Sequence, residues 1–189
     1  MEPNGRLENC RRHTVQPAGR PTRELSLLQP LATGLSDLRY AQVWKVESEG
    51  EEVVARFYDP LYVHDDTQRY DIFKHIDNAV ANEMRAYGAL ADLQGILVPR
   101  FIGCFLTMVA APQGLEGVFP ERSVLVILLE FIPGDSLRHL NPTPTRPVCD
   151  MHKAAILDAA LLAAHLLVLR GVRHSDMAER NIILKERPL

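Results

Sequence analysis

The stretch that most constrains the fold is Val124 to Ile132, VLVILLEFI, an aliphatic run broken only by Glu130. A strand with one wet face would alternate apolar and polar residues, and this one does not, which suits a central strand covered on both faces. Pro133-Gly134 ends the run, because proline cannot donate to a ladder and the pair favours a bend. The rest of the chain must then supply strands beside this segment and a layer over it.

Candidates for those neighbours are easy to find. ELSLLQPLATG, YAQVWKVE and EEVVARFYD each suit a strand, with Gly34-Leu35-Ser36-Asp37 and Ser48-Glu49-Gly50-Glu51 as turns, so an antiparallel meander is expected. VPRFIGCFLTMVA is a further apolar segment, divided from Val124 by the Pro- and Gly-rich APQGLEGVFPE. Between these groups, from about Asp66 to Leu93, Ile72, Ile76, Ala79, Val80, Glu83, Met84, Tyr87 and Leu90 recur at three- and four-residue steps, as an amphipathic helix requires, and Gly95 closes it. After a short helical start at Asp135-Ser136-Leu137-Arg138 and the breaker cluster NPTPTRP comes AAILDAALLAAHLLVLRG, Ala154 to Gly171. That run approaches membrane-span length but contains Asp158 and His165, so it is expected as a buried core helix and no membrane contact is expected. Residues 1–23 are polar and lack the apolar stretch of a secretory signal, and they are expected as a flexible leader. The fold class is therefore α+β.

Length and composition narrow the function. At 189 residues the chain has room for one domain or two small lobes sharing a cleft. A hydrophobic share of 47% with 24% charged residues is that of a folded soluble protein. The net charge of −3 offers no basic field for a phosphate backbone, so no nucleic-acid partner is expected. Cys10, Cys104 and Cys149 are odd in number and far apart, which argues against a disulfide framework or a zinc site and points to the cytoplasm. The tyrosines, Tyr58 among them, lack basic interleaving and read as packing residues.

The chemistry is concentrated near the C-terminus, in RHSDMAERNIIL, residues 173–184. His174, Asp176 and Asn181 form H-x-D-x-x-x-x-N directly after the long apolar helix and before the apolar Ile182–Leu184. Phosphoryl transfer asks little covalent help of a protein; it needs a carboxylate near the attacking hydroxyl and oxygen ligands that hold Mg²⁺ against the phosphates. A four-residue spacer lets the Asp and the Asn turn into one cleft. The bland alternative is a loop His, a capping Asp and a turn Asn, since all three residue types favour such places.

In its element order and this octet the chain resembles the protein-kinase-like superfamily, and the surroundings of the motif look closest to the aminoglycoside phosphotransferase and choline kinase branch. The resemblance covers residues 24–189. It implies an N-terminal lobe over residues 24–132, an antiparallel sheet with the helix of about 66–93. A partial C-terminal lobe follows over residues 133–189, with a helix of about 151–170 and a catalytic-type loop at 174–181. It further implies an ATP-dependent phosphotransferase with Mg²⁺, acting on a small-molecule or protein hydroxyl. In that scheme Asp176 orients or deprotonates the acceptor, Asn181 binds the metal and His174 steadies the loop. Arg56 stands where the family has a phosphate-gripping Lys, and Glu83 is its partner on the helix. Backbone groups around Glu130, Phe131 and Ile132 would face the adenine, and Gly34 is the one glycine in the place of the phosphate-covering loop. Two departures matter. Arg is longer, planar and forked where Lys is expected, and no Asp follows Asn181 in KERPL, where the family places a second metal ligand. The resemblance thus implies a C-terminally truncated, impaired enzyme or, alternatively, an inactive pseudokinase acting as a binding module, with a protein partner covering the unfinished lobe.

Overall fold

The computed structural model describes residues 12–16, 23–32, 41–59, 72–110, 121–139 and 150–185. Eight strands and two α-helices occur among them, in the order β1 (Arg12–Gln16), β2 (Arg23–Ala32), β3 (Gln42–Ser48), β4 (Glu51–Tyr58), α1 (Ile72–Ala89), β5 (Phe101–Ala110), β6 (Glu121–Glu130), β7 (Gly134–Ser136), α2 (Asp150–Leu169) and β8 (Ile183–Lys185). The class is α+β with antiparallel pairing throughout the named strands. The chain divides into two compact units, residues 1–85 with 100–131, and residues 86–99 with 132–189.

In the first unit six strands close into a barrel in the order β1-β2-β3-β4-β6-β5. The β6 strand pairs with β4 on one side and β5 on the other, and Val124, Val126, Ile127, Leu128 and Leu129 are all buried. The continuous aliphatic run thus has the environment that its missing alternation demanded. One face of β6 joins Leu25, Trp44, Val46, Val53, Ala55, Phe57 and Phe105 in a single core cluster. The β3 and β4 strands meet in register from Gln42↔Phe57 to Ser48↔Glu51. Their two-residue turn places Glu49 at φ 54 and Gly50 at φ 82, the left-handed pair whose twist matches that of a hairpin. Pro30 falls at a register shift in β2, the kind of place that tolerates the missing N–H of proline.

The first correction concerns the leader. Arg12–Gln16 is not a loose end: it pairs with β2 from Arg12↔Ser26 to Val15↔Arg23 and with β5 at Val15↔Thr107 and Gln16↔Leu106, and so closes the barrel. Backbone pairing needs no apolar alternation, and for that reason the polar composition concealed it.

The second correction concerns the helices. The helix of residues 66–93 is assigned whole to the first lobe by resemblance, but α1 ends at Ala89 and residues 86–99 belong to the second unit. There Leu90, Leu93 and Leu167 are buried together, with Val98, Leu166 and Val172 packed against them. Arg170 adds a fork, Nε donating to both carboxylate oxygens of Asp92 at 2.9 Å, and this guanidinium holds the Asp92 carboxyl below its ordinary range. The α2 helix itself is not the buried core helix the sequence suggests. Among its described side chains only Leu167 is buried, while Leu157, Leu161, Leu162, Val168 and Leu169 are each about three-fifths exposed. Met151–Leu169 is long and apolar enough to cross a membrane by length and composition, with Lys153, Asp158 and His165 within it.

Segment 135–138, expected to begin a short helix, opens instead with β7, which pairs with β8 at Gly134↔Lys185, Asp135↔Leu184 and Ser136↔Ile183, and a single 3-10 turn, Leu137–His139, follows. Gly134 has φ 143, and a Cβ there would stand 2.2 Å from the Leu184 carbonyl oxygen. Only glycine allows this approach. The turn at 34–37, the start of the first helix before residue 72, and the breaker cluster NPTPTRP lie outside the described residues.

Candidate functional site

Two groups of polar side chains answer to the residues singled out above, one in each unit. The first is built on β4. Alternation along this strand sends Val53, Ala55 and Phe57 into the core cluster and puts Arg56 and Tyr58 on the opposite face. Glu83 comes from α1, on the stripe that also carries the buried Ile76 and Val80 at helical spacing. Arg56 Nη1 donates to Glu83 Oε1 at 2.8 Å, and the side chains are 37% and 13% exposed. Tyr58 Oη donates to the other carboxylate oxygen, Oε2. One carboxylate is thereby held by two donors from a single strand face. The Arg56 guanidinium carbon lies 6.0 Å from the centre of the Tyr58 ring.

Tyr58 is 3% exposed. Burial pushes its phenol far above the ordinary tyrosine value; the neighbouring Glu83 carboxylate adds to this, and Arg56 opposes it. The phenol therefore keeps its proton and remains a donor. Read from sequence as a packing residue, it is a polar member of the cluster. Its position two residues after Arg56 on a strand, which puts both on one face, was the available signal.

The segment Glu130, Phe131 and Ile132, which resemblance would place against an adenine edge, is where the chain leaves the first unit, between Phe131 and Ile132. Glu130 N–H is committed to the Arg100 carbonyl at 2.9 Å. The Glu130 carboxylate accepts from Arg100 N–H at 3.0 Å and lies 3.4 Å from Arg100 Nε. Lys45 Nζ sits 4.4 Å from the centre of the Phe131 ring, a cation–π distance. Glu130 is thus a strand-end anchor, and its N–H is spent on Arg100, the residue before β5. Ile132, in the second unit, is half-buried.

The second group lies between α2 and β8. After α2, Val172 N–H returns to the Leu167 carbonyl at 3.0 Å, which closes the helix. The chain then presents His174, Asp176, Arg180 and Asn181, all exposed. Asp176 N–H donates to His174 Nδ1 at 3.3 Å. Asn181 Nδ2 donates to the Asp176 backbone carbonyl and to its carboxylate Oδ2, both at 2.8 Å. Arg180 Nη2 donates to Asp176 Oδ1 at 2.6 Å. A 3-10 turn, Glu179–Asn181, sets Arg180 and Asn181 towards Asp176, and Leu137 N–H donates to the Ile182 carbonyl at 2.9 Å to tie the loop to the β7–β8 pair. Arg180 was overlooked in the sequence; four residues from Asp176, it could have been found by its spacing and charge.

The structure thus brings Arg56 together with Glu83, and Asp176 with Asn181. These pairs belong to different units. Gly34 lies outside the described residues. The donor chemistry suits a hard cation only in part. Asn181 gives its Nδ2 to Asp176 and so keeps its amide oxygen as the acceptor end, and the carboxylate beside it has oxygens to share. Among the described residues no group of three or more His, Cys, Asp or Glu gathers to form a metal cage. Phosphate oxygens and water would have to complete any Mg²⁺ shell.

No protein-family model matches the chain, and no curated protein matches it. Among solved structures, the chain is similar to one described as the structure of vaccinia related kinase 3, with a TM-score of 0.44 and 11% identity. That match covers 91% of this chain and 46% of the other, so the chain spans about half the length of the structure it matches.

Proposed function

We propose that the chain is a kinase-like phosphotransferase that uses Mg-ATP to phosphorylate a hydroxyl group, with a look nearest the aminoglycoside phosphotransferase and choline kinase branch. The observation that carries this reading is the Asp176–Asn181 pairing within H-x-D-x-x-x-x-N, with the Asp176 N–H held by His174. In this reading the acceptor oxygen attacks the γ-phosphorus, the bond to the bridging oxygen of ADP breaks, and Asp176 takes the hydroxyl proton. Arg180, which holds the Asp176 Oδ1, would yield to the acceptor hydroxyl where the two compete for that oxygen. The release is cheap, because an exposed pair of this kind is worth about 0–1 kcal/mol. Asn181 offers its amide oxygen to Mg²⁺, which when bound neutralises charge on the phosphates. Arg56, oriented by Glu83, holds phosphate oxygens, and its fork can take two of them where a lysine would take one.

The expected experiment is turnover of Mg-ATP with a panel of hydroxyl acceptors. Asp176→Asn removes the base while keeping the shape, and turnover should fall by at least about a hundredfold with the melting temperature little changed. Unchanged turnover in that variant would remove Asp176 from the chemistry.

A second reading, an inactive pseudokinase acting as a binding module, is favoured by the exposed apolar side chains of α2. Its signature would be nucleotide binding without turnover, together with partner-dependent protection of α2 in hydrogen exchange.

A further inference from the structure

The proposed phosphate grip contains a residue that no role yet accounts for. Arg56 and Tyr58 leave the same face of β4, and Glu83 receives both of them on its two carboxylate oxygens. A carboxylate held by one long, partly exposed arginine can swing with it, since such pairs are loose and solvent-screened. A carboxylate whose second oxygen is tied to a buried phenol on a two-torsion ring cannot. We propose that Tyr58 is the positioning residue of the phosphate grip, fixing Glu83 so that Arg56 presents its guanidinium in one orientation. This rests on the reading of Arg56 as a phosphate-binding residue.

The supporting geometry lies inside one unit. Tyr58 is buried, so its hydroxyl has no water to fall back on, and its phenol keeps its proton as burial requires. The arrangement also bears on the Arg-for-Lys departure. A lysine is a compact point charge that needs only to be nearby, whereas a planar fork must be aimed to take phosphate oxygens in pairs. A second anchor on the aiming carboxylate is what such a fork requires. Tyr58 would act through Glu83 and Arg56 and not as a catalytic residue.

Calorimetric titration with Mg-ATP and, separately, with adenosine tests the idea, because only ATP uses the phosphate grip. Tyr58→Phe, which removes a single oxygen, should weaken Mg-ATP binding about tenfold while leaving adenosine binding within about twofold of wild type. Arg56→Ala should lower the ATP-to-adenosine affinity ratio at least as much, and adding Tyr58→Phe to it should lower the ratio no further, because the two act in series. An unchanged ratio in Tyr58→Phe would overturn the proposal while leaving Arg56 as a phosphate ligand, and so would additive losses in the double variant. Should Tyr58→Phe fail to fold, Glu83→Gln supplies the comparison: weaker ATP binding at preserved adenosine binding supports the positioning chain, and an unchanged ratio overturns it. A wild-type chain that binds no Mg-ATP overturns both the reading beneath and this proposal with it.

Discussion

Replacing Glu83 by leucine removes the carboxylate that two donors share, and the structure says what each donor then loses. The Tyr58 hydroxyl, 3% exposed and with its proton held, is stranded without its acceptor, and a buried donor left unmade costs about 1–3 kcal/mol. Arg56 is 37% exposed, so water recovers most of what its pair with Glu83 gave, and about 1 kcal/mol is lost there. The sum is about 2–4 kcal/mol, or a fall of about 4–16 °C in melting temperature for a chain of this size. Adding Tyr58→Phe should bring part of this back, because removing both ends of a buried hydrogen bond is nearly neutral while removing one is not. The double variant is therefore expected to be more stable than Glu83→Leu alone, with a coupling of about 1–2 kcal/mol in the cycle. Denaturant unfolding of the wild type, both single variants and the double variant measures it. Two single effects that add to within about 0.5 kcal/mol would refute the shared carboxylate.

Two further outcomes are open to measurement, one in each unit. Because burial raises the Tyr58 phenol above its unfolded value near 10, the folded chain keeps a proton that the unfolded chain loses. The stability tied to it is complete below about pH 10 and is lost as pH rises beyond. The wild type should therefore lose up to about 1.4 kcal/mol per pH unit more than Tyr58→Phe above pH 10, and parallel stability curves would contradict this. Gly134→Ala should destabilise the β7–β8 pair by about 1–3 kcal/mol through backbone strain and the close Leu184 carbonyl. Hydrogen exchange of the Ser136 and Ile182–Leu184 amides reads the loss, and unchanged protection there would show that the approach can relax.

Much of this arrangement is written locally in the sequence. The unbroken aliphatic β6, the alternation of β3 and β4 and the helical spacing of Ile76, Val80 and Glu83 are all properties of short windows, and they mark β6 as a central strand without naming β4 and β5 as its neighbours. What escaped depends on distant partners. The β1 strand is held by backbone pairing to β2 and β5, for which its polar side chains give no sign. The end of α1 passes to the second unit because Leu90 and Leu93 meet Leu167, a contact across more than seventy residues that no periodicity announces. An apolar run such as α2 states that burial would be favourable and says nothing of whether a covering element is there. For the candidate site, the H-x-D-x-x-x-x-N spacing showed Asp176 and Asn181. Tyr58 and Arg180 were hidden by residue type, since tyrosine reads as packing and arginine as surface, although the strand and turn spacings of both were available.

We propose that Arg56 serves as a phosphate grip for a nucleotide triphosphate. Thermal unfolding with and without Mg-ATP tests it most directly: at a ligand concentration a hundred times the dissociation constant, binding to the folded chain adds about 2.7 kcal/mol, which is about 5–10 °C here. The account predicts such a rise for the wild type and its loss in Arg56→Ala. No rise at millimolar Mg-ATP, or an equal rise in Arg56→Ala, would contradict it.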